Sequence, residues 1–155
     1  MAVRSTYLGG VSTTAGAGAN AAGFPAYTVF ENVIDCAKLS TAAAQNDVIE
    51  ALNIPAGTLI QGVMWEVETV EGAARNFAIG DGDNTAGYVA STSANTAARG
   101  CTALTLTEGT PNTVTGFAAG KYYDAADTID ILAVTSGGLV AAKIRVKAFG
   151  IVFGK

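Results

Sequence analysis

No histidine occurs in the 155 residues. That absence removes Ser-His-Asp and Cys-His nucleophilic arrangements, and histidine-ligated metal sites with them. Cysteine is nearly absent too: Cys36 and Cys101 show no Cys-x-x-Cys spacing and no metal-ligating neighbour, so two buried free thiols are expected, with a disulfide as the alternative. Charge is sparse, 14% of residues, and acidic on balance, with nine Lys and Arg against thirteen Asp and Glu. Nucleic acid is therefore not an expected partner, because duplex binding rests on neutralising phosphates with cations. No apolar run approaches the roughly 18 residues that span a bilayer. No apolar signal core follows Arg4 either, so neither a membrane nor a secretory route is expected.

Small residues are what the chain has in excess. Thirty alanines and nineteen glycines make up about a third of it, where glycine alone averages about 7%. Each small side chain buries little area, and at about 25 cal/mol per Å² it contributes little. The length suits one domain that needs no disulfide or metal to fold. An isolated subunit of this composition is expected to be only modestly stable, with burial against identical neighbours as the natural supplement.

Residues 1–26 divide from the rest by composition. Ala, Gly, Ser and Thr dominate them, most of all from Thr14 to Gly23, and such a segment lacks the apolar mass to offset an ordering entropy of about 1–2 kcal/mol per residue. It is an extended arm by this criterion. Docking on another subunit through Tyr7, Leu8 and Val11 is the favoured expectation, and lying along its own domain is the alternative.

Residues 27–155 alternate strand patterns with Gly and Pro turns at roughly 8–12-residue spacing, the signature of an all-β sandwich or barrel. Strands are expected within 27–39, 47–52, 59–70, 75–80, 102–107, 113–117, 121–123, 127–134 and 139–153, with 91–100 as a long surface loop. Pro55 and Gly57 make Ile54–Thr58 a tight corner feeding the strand that begins at Leu59. In that strand Leu59, Val63, Trp65 and Val67 share one parity and are expected in the core, while Ile60, Met64, Glu66 and Glu68 share the other. A hairpin through Glu71-Gly72-Ala73-Ala74 is the simplest link to the next strand.

Little catalytic chemistry survives. Glu66 and Glu68 stand about 6.5–7 Å apart along a strand, a separation compatible with a glycosidase pair. No surplus of aromatics stands near them to hold a sugar, and a solvated acidic strand end explains them equally. Asp81, Asp83 and Asn84 offer clustered oxygens, but the EF-hand pattern fails at Thr85 and Ala86, which leaves an Asx-rich turn as the simpler account. Gly16-Ala17-Gly18 lacks the third glycine and the Lys-Ser/Thr pair of a phosphate loop. No cofactor, metal or catalytic residue is expected, and the chain is not expected to be an enzyme.

The last strand carries the most information about surfaces. Val140, Ala142, Ile144, Val146 and Ala148 form its inner parity; Lys143, Arg145 and Lys147 form the outer one, which then turns apolar at Phe149, Ile151 and Phe153. A strand end apolar on both faces is an aggregation hazard on a free edge, so it is expected either beneath a loop or in an interface.

The order Asp47-Val48-Ile49, Ile54-Pro55-Ala56-Gly57-Thr58, a long alternating strand, Ile79-Gly80-Asp81-Gly82-Asp83 and then Tyr123-Asp124-Ala125-Ala126-Asp127-Thr128-Ile129-Asp130 resembles the decoration, or cement, proteins that stabilise tailed-phage heads. It spans roughly residues 46–150. The resemblance implies an antiparallel, jelly-roll-like β-sandwich, to which the composition of residues 1–26 adds the extended N-terminal arm. It also implies a virion structural protein, commonly a homotrimer, that sits on the outer surface of a capsid assembled in the host cytoplasm and bridges major capsid protein subunits. Its assembly interface would then comprise Tyr7, Leu8, Val11, Lys143, Arg145, Lys147, Phe149, Ile151 and Phe153. The alternative is a carbohydrate-binding or hydrolytic virion or tail module using Trp65, Tyr122, Tyr123 and the acidic residues.

Overall fold

Strand β10 (Lys143–Val152) alternates buried and half-exposed residues along most of its length, as the period of two requires. It lies antiparallel between β2 (Ala26–Asp35) and β4 (Thr58–Thr69). Beyond β4 the sheet is extended at one end by β7 (Arg99–Cys101) and at the other by β8 (Lys121–Tyr123). The second sheet runs β1 (Val3–Arg4), β3 (Val48–Ile54), β9 (Asp127–Ala133), β5 (Asn76–Gly80) and β6 (Val89–Ser93). Its pairings are antiparallel except for the parallel β1–β3 contact. The computed structural model describes residues 26–102, 117 and 119–153, with the backbone of Val3–Arg4. Tyr7, Leu8, Val11 and nearly all of the strands expected at 102–107 and 113–117 lie outside the described residues.

The two sheets close an all-β sandwich. Ile129, Ile131 and Ala133 of β9 and Ile144, Val146 and Ala148 of β10 are fully buried in the shared core, the parity that alternation predicts. The Ile54–Thr58 corner carries the chain from one sheet to the other. Gly57 adopts φ +76° there, donates to the Tyr123 carbonyl at 2.7 Å and accepts from the Phe153 N–H at 2.8 Å. Asn32 ties the sheets together by donating from Nδ2 to the carbonyl of Ala51, the residue bulged out of the β3–β9 ladder.

Several expectations are corrected. In β4, Ile60 and Val63 are both buried, because Gln61 is an extra residue opposite the Phe149–Gly150 step; this bulge resets the parity and leaves Leu59 on the outer face. β4 and β5 do not form a hairpin: β5 pairs with β6 and β9 in the opposite sheet, so residues 70–75 cross the sandwich. The loop expected at 91–100 is interrupted by the end of β6 and the start of β7. Val140 is exposed, because the last strand begins only at Lys143. Of the two cysteines, Cys36 is a buried free thiol whose pKa is pushed up to about 12 by burial and then by Glu71 and Asp35, whereas free Cys101 is exposed on the edge strand β7.

Candidate assembly surface

The outer face of the β2–β10–β4 sheet gathers most of the residues that the sequence singles out. Register builds it row by row. Tyr27, Ile151, Leu59 and Tyr122 stand side by side across β2, β10, β4 and β8. In the next row Val29 and Phe149 are neighbours, and Gly62 leaves open space where a side chain would stand. Tyr27 is 63% exposed, Tyr122 52% and Phe153 38%, and the Tyr122 and Phe153 rings meet edge to face with centroids 6.2 Å apart. Large apolar side chains in adjacent rows make a contiguous patch, which isolated surface residues do not. A groove of about 410 Å³ continues from Val29, Met64 and Phe149 towards Arg99, Arg145 and Lys147.

The other half of this face is charged and self-neutralising. Arg145 reaches Glu31 on β2 and Glu68 on β4, the latter through Nε at 2.7 Å. Lys143 lies 3.2 Å from Glu68 and Lys147 lies 3.3 Å from Glu31, while Glu66 stands at 4.0 Å from Arg145. Hydrogen bonding to Arg145 holds the Glu31 carboxyl below its ordinary range. At Glu68 burial pushes upward, but the bonds to Arg145 and Lys143 outweigh it and the carboxyl is lowered. The acidic end of β4, expected to meet water, instead partners the basic stripe of β10. Same-parity charges of opposite sign on two strands were the available signal; that the strands are neighbours was not visible.

The residues of the carbohydrate alternative are not brought together as a platform. Trp65 packs inward at the β7 edge, 5.5 Å edge to face from Phe77, with its indole against Gly100, where a Cβ would come within 2.7 Å of the ring. Tyr123 is buried and bonds Asp81, so Tyr122 alone of the three aromatics is exposed. The Asp81–Asn84 loop is an Asx turn whose cation is a lysine. Asp81 Oδ1 accepts from the N–H groups of Asp83 and Asn84, and Lys121 Nζ lies 2.5 Å from Asp81 and 2.7 Å from Asp83. No group of three or more His, Cys, Asp or Glu suited to a metal occurs among the described residues.

On the other sheet, Asp130 is buried opposite Glu50 of β3 and Gly80 of β5, and its Oδ1 has no hydrogen-bond partner among the described residues. Burial raises its carboxyl from 3.8 to about 6; a hydrogen bond to Thr128 opposes this, and the nearby Glu50, Asp127 and Asp81 charges reinforce it. A raised carboxyl keeps its proton in the folded state where the unfolded chain has released it. Its stabilising contribution is therefore complete below the ordinary aspartate range and is lost as pH rises to about 6. Asp130→Asn is expected to melt above the native protein at pH 7, by about 1–3 kcal/mol of stability. The gap should close on acidification through this window; a gap independent of pH would show that Asp130 is not the titrating group.

Comparison with solved structures finds this fold in phage particles. A chain of the cyanophage Pam1 capsid asymmetric unit aligns with a TM-score of 0.52 at 14% identity, covering 83% of this chain and 84% of that one. A chain from the capsid of Ralstonia phage GP4 aligns at 0.53 and 14% identity, covering 88% of each. One from the acidic stable capsid of the Helicobacter pylori bacteriophage KHP30 aligns at 0.51 and 9% identity, covering 83% of this chain and 94% of that one. No family model and no curated protein sequence matches. At these identities the likeness is one of fold, an all-β sandwich shared with chains of three phage capsids.

Proposed function

We propose that this chain is a non-enzymatic structural protein of a phage virion, which decorates the outer surface of the capsid and bridges major capsid protein subunits, as a homotrimer. The observation that carries this is the exposed apolar half of the outer sheet face, from Tyr27 across Ile151 and Leu59 to Tyr122, with Phe149 and Phe153 beside it. Likeness in fold to chains of the Pam1, KHP30 and GP4 capsids supports the setting. A head protein resists internal pressure by adding buried area between subunits, and a rigid sheet face presents such area at low entropic cost. Phe149, Ile151 and Phe153 supply the apolar contact. Lys143, Arg145 and Lys147, already paired within the sheet, set orientation at its rim more than affinity. The arm, through Tyr7, Leu8 and Val11, reaches neighbouring shell proteins.

Light scattering on the purified protein, with and without shells, tests this. A trimeric mass and co-sedimentation with shells are expected, and Phe149→Asp with Ile151→Asp should reduce the mass to that of a monomer while β-sheet circular dichroism persists. The same shell assay on a chain lacking residues 2–23 should show weakened binding at an unchanged number of subunits. A native protein that stays monomeric at micromolar concentration and ignores shells would overturn the proposal.

A further inference from the structure

The contact between Asp81 and Lys121 holds more than an ion pair needs. Asp81 directly follows β5 in one sheet, and Lys121 opens β8, which pairs with β4 in the other. Lys121 Nζ lies 2.5 Å from Asp81 Oδ2, and that same oxygen accepts a hydrogen bond from the Tyr123 hydroxyl at 2.8 Å. The other oxygen, Oδ1, accepts from the backbone N–H groups of Asp83 and Asn84 at 3.0 and 3.1 Å. A second carboxylate, Asp83, stands 2.7 Å from Nζ. The Asp81 side chain is fully buried, and the Lys121 ammonium sits against the rings of Phe117 and Tyr123, 4.7 and 4.9 Å from their centroids.

These are the parts of an acyl-transfer site: a nucleophile in contact with the carboxyl group, a base on the nucleophile, two N–H donors on the oxygen that gathers charge, and a donor on the oxygen that leaves. We propose that Asp81 and Lys121 condense spontaneously into an intramolecular amide, a covalent cross-link between the two sheets. One proton passes from the ammonium to Asp81 Oδ2, giving a neutral amine beside a neutral acid. Nitrogen attacks Cγ, and the negative charge that develops on Oδ1 is held by the Asp83 and Asn84 amides. Asp83 takes the second proton from nitrogen and delivers it to Oδ2, which departs as water while Tyr123 donates to it. The ammonium's three hydrogens are thereby accounted for, one on the amide and two on the water, and no oxidant or cofactor is needed.

Two physical terms set the rate and the direction. At Lys121 burial lowers the pKa, but the bonds to Asp81 and Asp83 outweigh it and keep the ammonium above its ordinary value, so the nitrogen rests protonated and the condensation is slow. Fixed proximity opposes this, since well-oriented intramolecular reactions reach effective molarities of about 10⁵–10⁸ M. Exclusion of water from Asp81 protects the product from hydrolysis.

The test is the mass of the full-length protein under denaturing conditions, followed after purification. The native chain is expected to lose the mass of one water, with fragmentation joining the peptide of Asp81 to that of Lys121. Lys121→Ala and Asp81→Ala should keep the full sequence mass, and Asp83→Asn and Tyr123→Phe should convert more slowly. A succinimide at Asp81-Gly82 would also lose one water; it would persist in Lys121→Ala and open with hydroxylamine, and that result would overturn the proposal. So would a native mass that stays equal to the sequence after prolonged incubation.

Discussion

Replacing Glu71 with alanine is expected to cost about 3 kcal/mol or more, although nothing in its local sequence marks it as structural. The carboxylate is buried in the crossover between β4 and β5, and its Oε1 accepts from three consecutive N–H groups, those of Val140, Ala141 at 2.8 Å and Ala142 at 3.2 Å. Its own N–H donates to the Ala94 carbonyl at 2.9 Å. The 140–142 segment lies outside any ladder, so these donors depend on Glu71 for the bonds a strand would otherwise provide. Removing the acceptor leaves the fully buried Ala142 N–H unpaired, while that of exposed Val140 finds water. The denaturant midpoint should fall at unchanged slope. Amide exchange should accelerate first at Ala141 and Ala142, and Glu71→Gln, which retains a neutral acceptor, should lose less than half as much. Equal losses for both variants would show that the charge itself, not the acceptor geometry, does the holding.

Phe77→Ala is expected to cost about 3–5 kcal/mol. The ring is fully buried near the start of β5 and meets the indole of Trp65 at 87°, so the substitution leaves a cavity between the sheets and removes the aromatic contact at once. A double-mutant cycle with Trp65→Leu separates the two effects, because an edge-to-face pair couples by about 0.5–1.5 kcal/mol beyond its buried area. Trp65 is packed against the core without being enclosed by it, so Trp65→Ala alone should cost less than Phe77→Ala. A larger loss from Trp65 would place the weight of the core at the β7 edge and not at β5.

Alternation and turn chemistry make several elements legible in the chain itself. Ile129, Ile131 and Ala133 face inward as their spacing requires, Ile144, Val146 and Ala148 do the same in β10, and Pro55 with Gly57 ends β3 and begins β4. Within one strand each side chain's facing follows from its neighbours two residues away. That logic fails where a residue is inserted. Gln61 reverses the parity of β4 only because β10 opposite lacks a matching residue, and one chain segment does not report the register of another.

The charged residues divide along the same line. Lys143, Arg145 and Lys147 could be placed on one strand face, and Glu66 and Glu68 on another, from local spacing alone. That these faces are one surface follows from β10 lying between β2 and β4, pairings between residues roughly 75 to 125 positions apart. The same is true of Asp81 and Lys121, which an Asx-rich turn and a short strand gave no reason to join. By itself the sequence determined the all-β class, most strand facings, the corner at Gly57 and the exclusion of histidine-based chemistry, because these depend on composition and on contacts a few residues long. Tertiary structure decided which strands are neighbours, which charges cancel and which carboxylate meets an amine, because closing the sandwich brings together groups that share no local pattern.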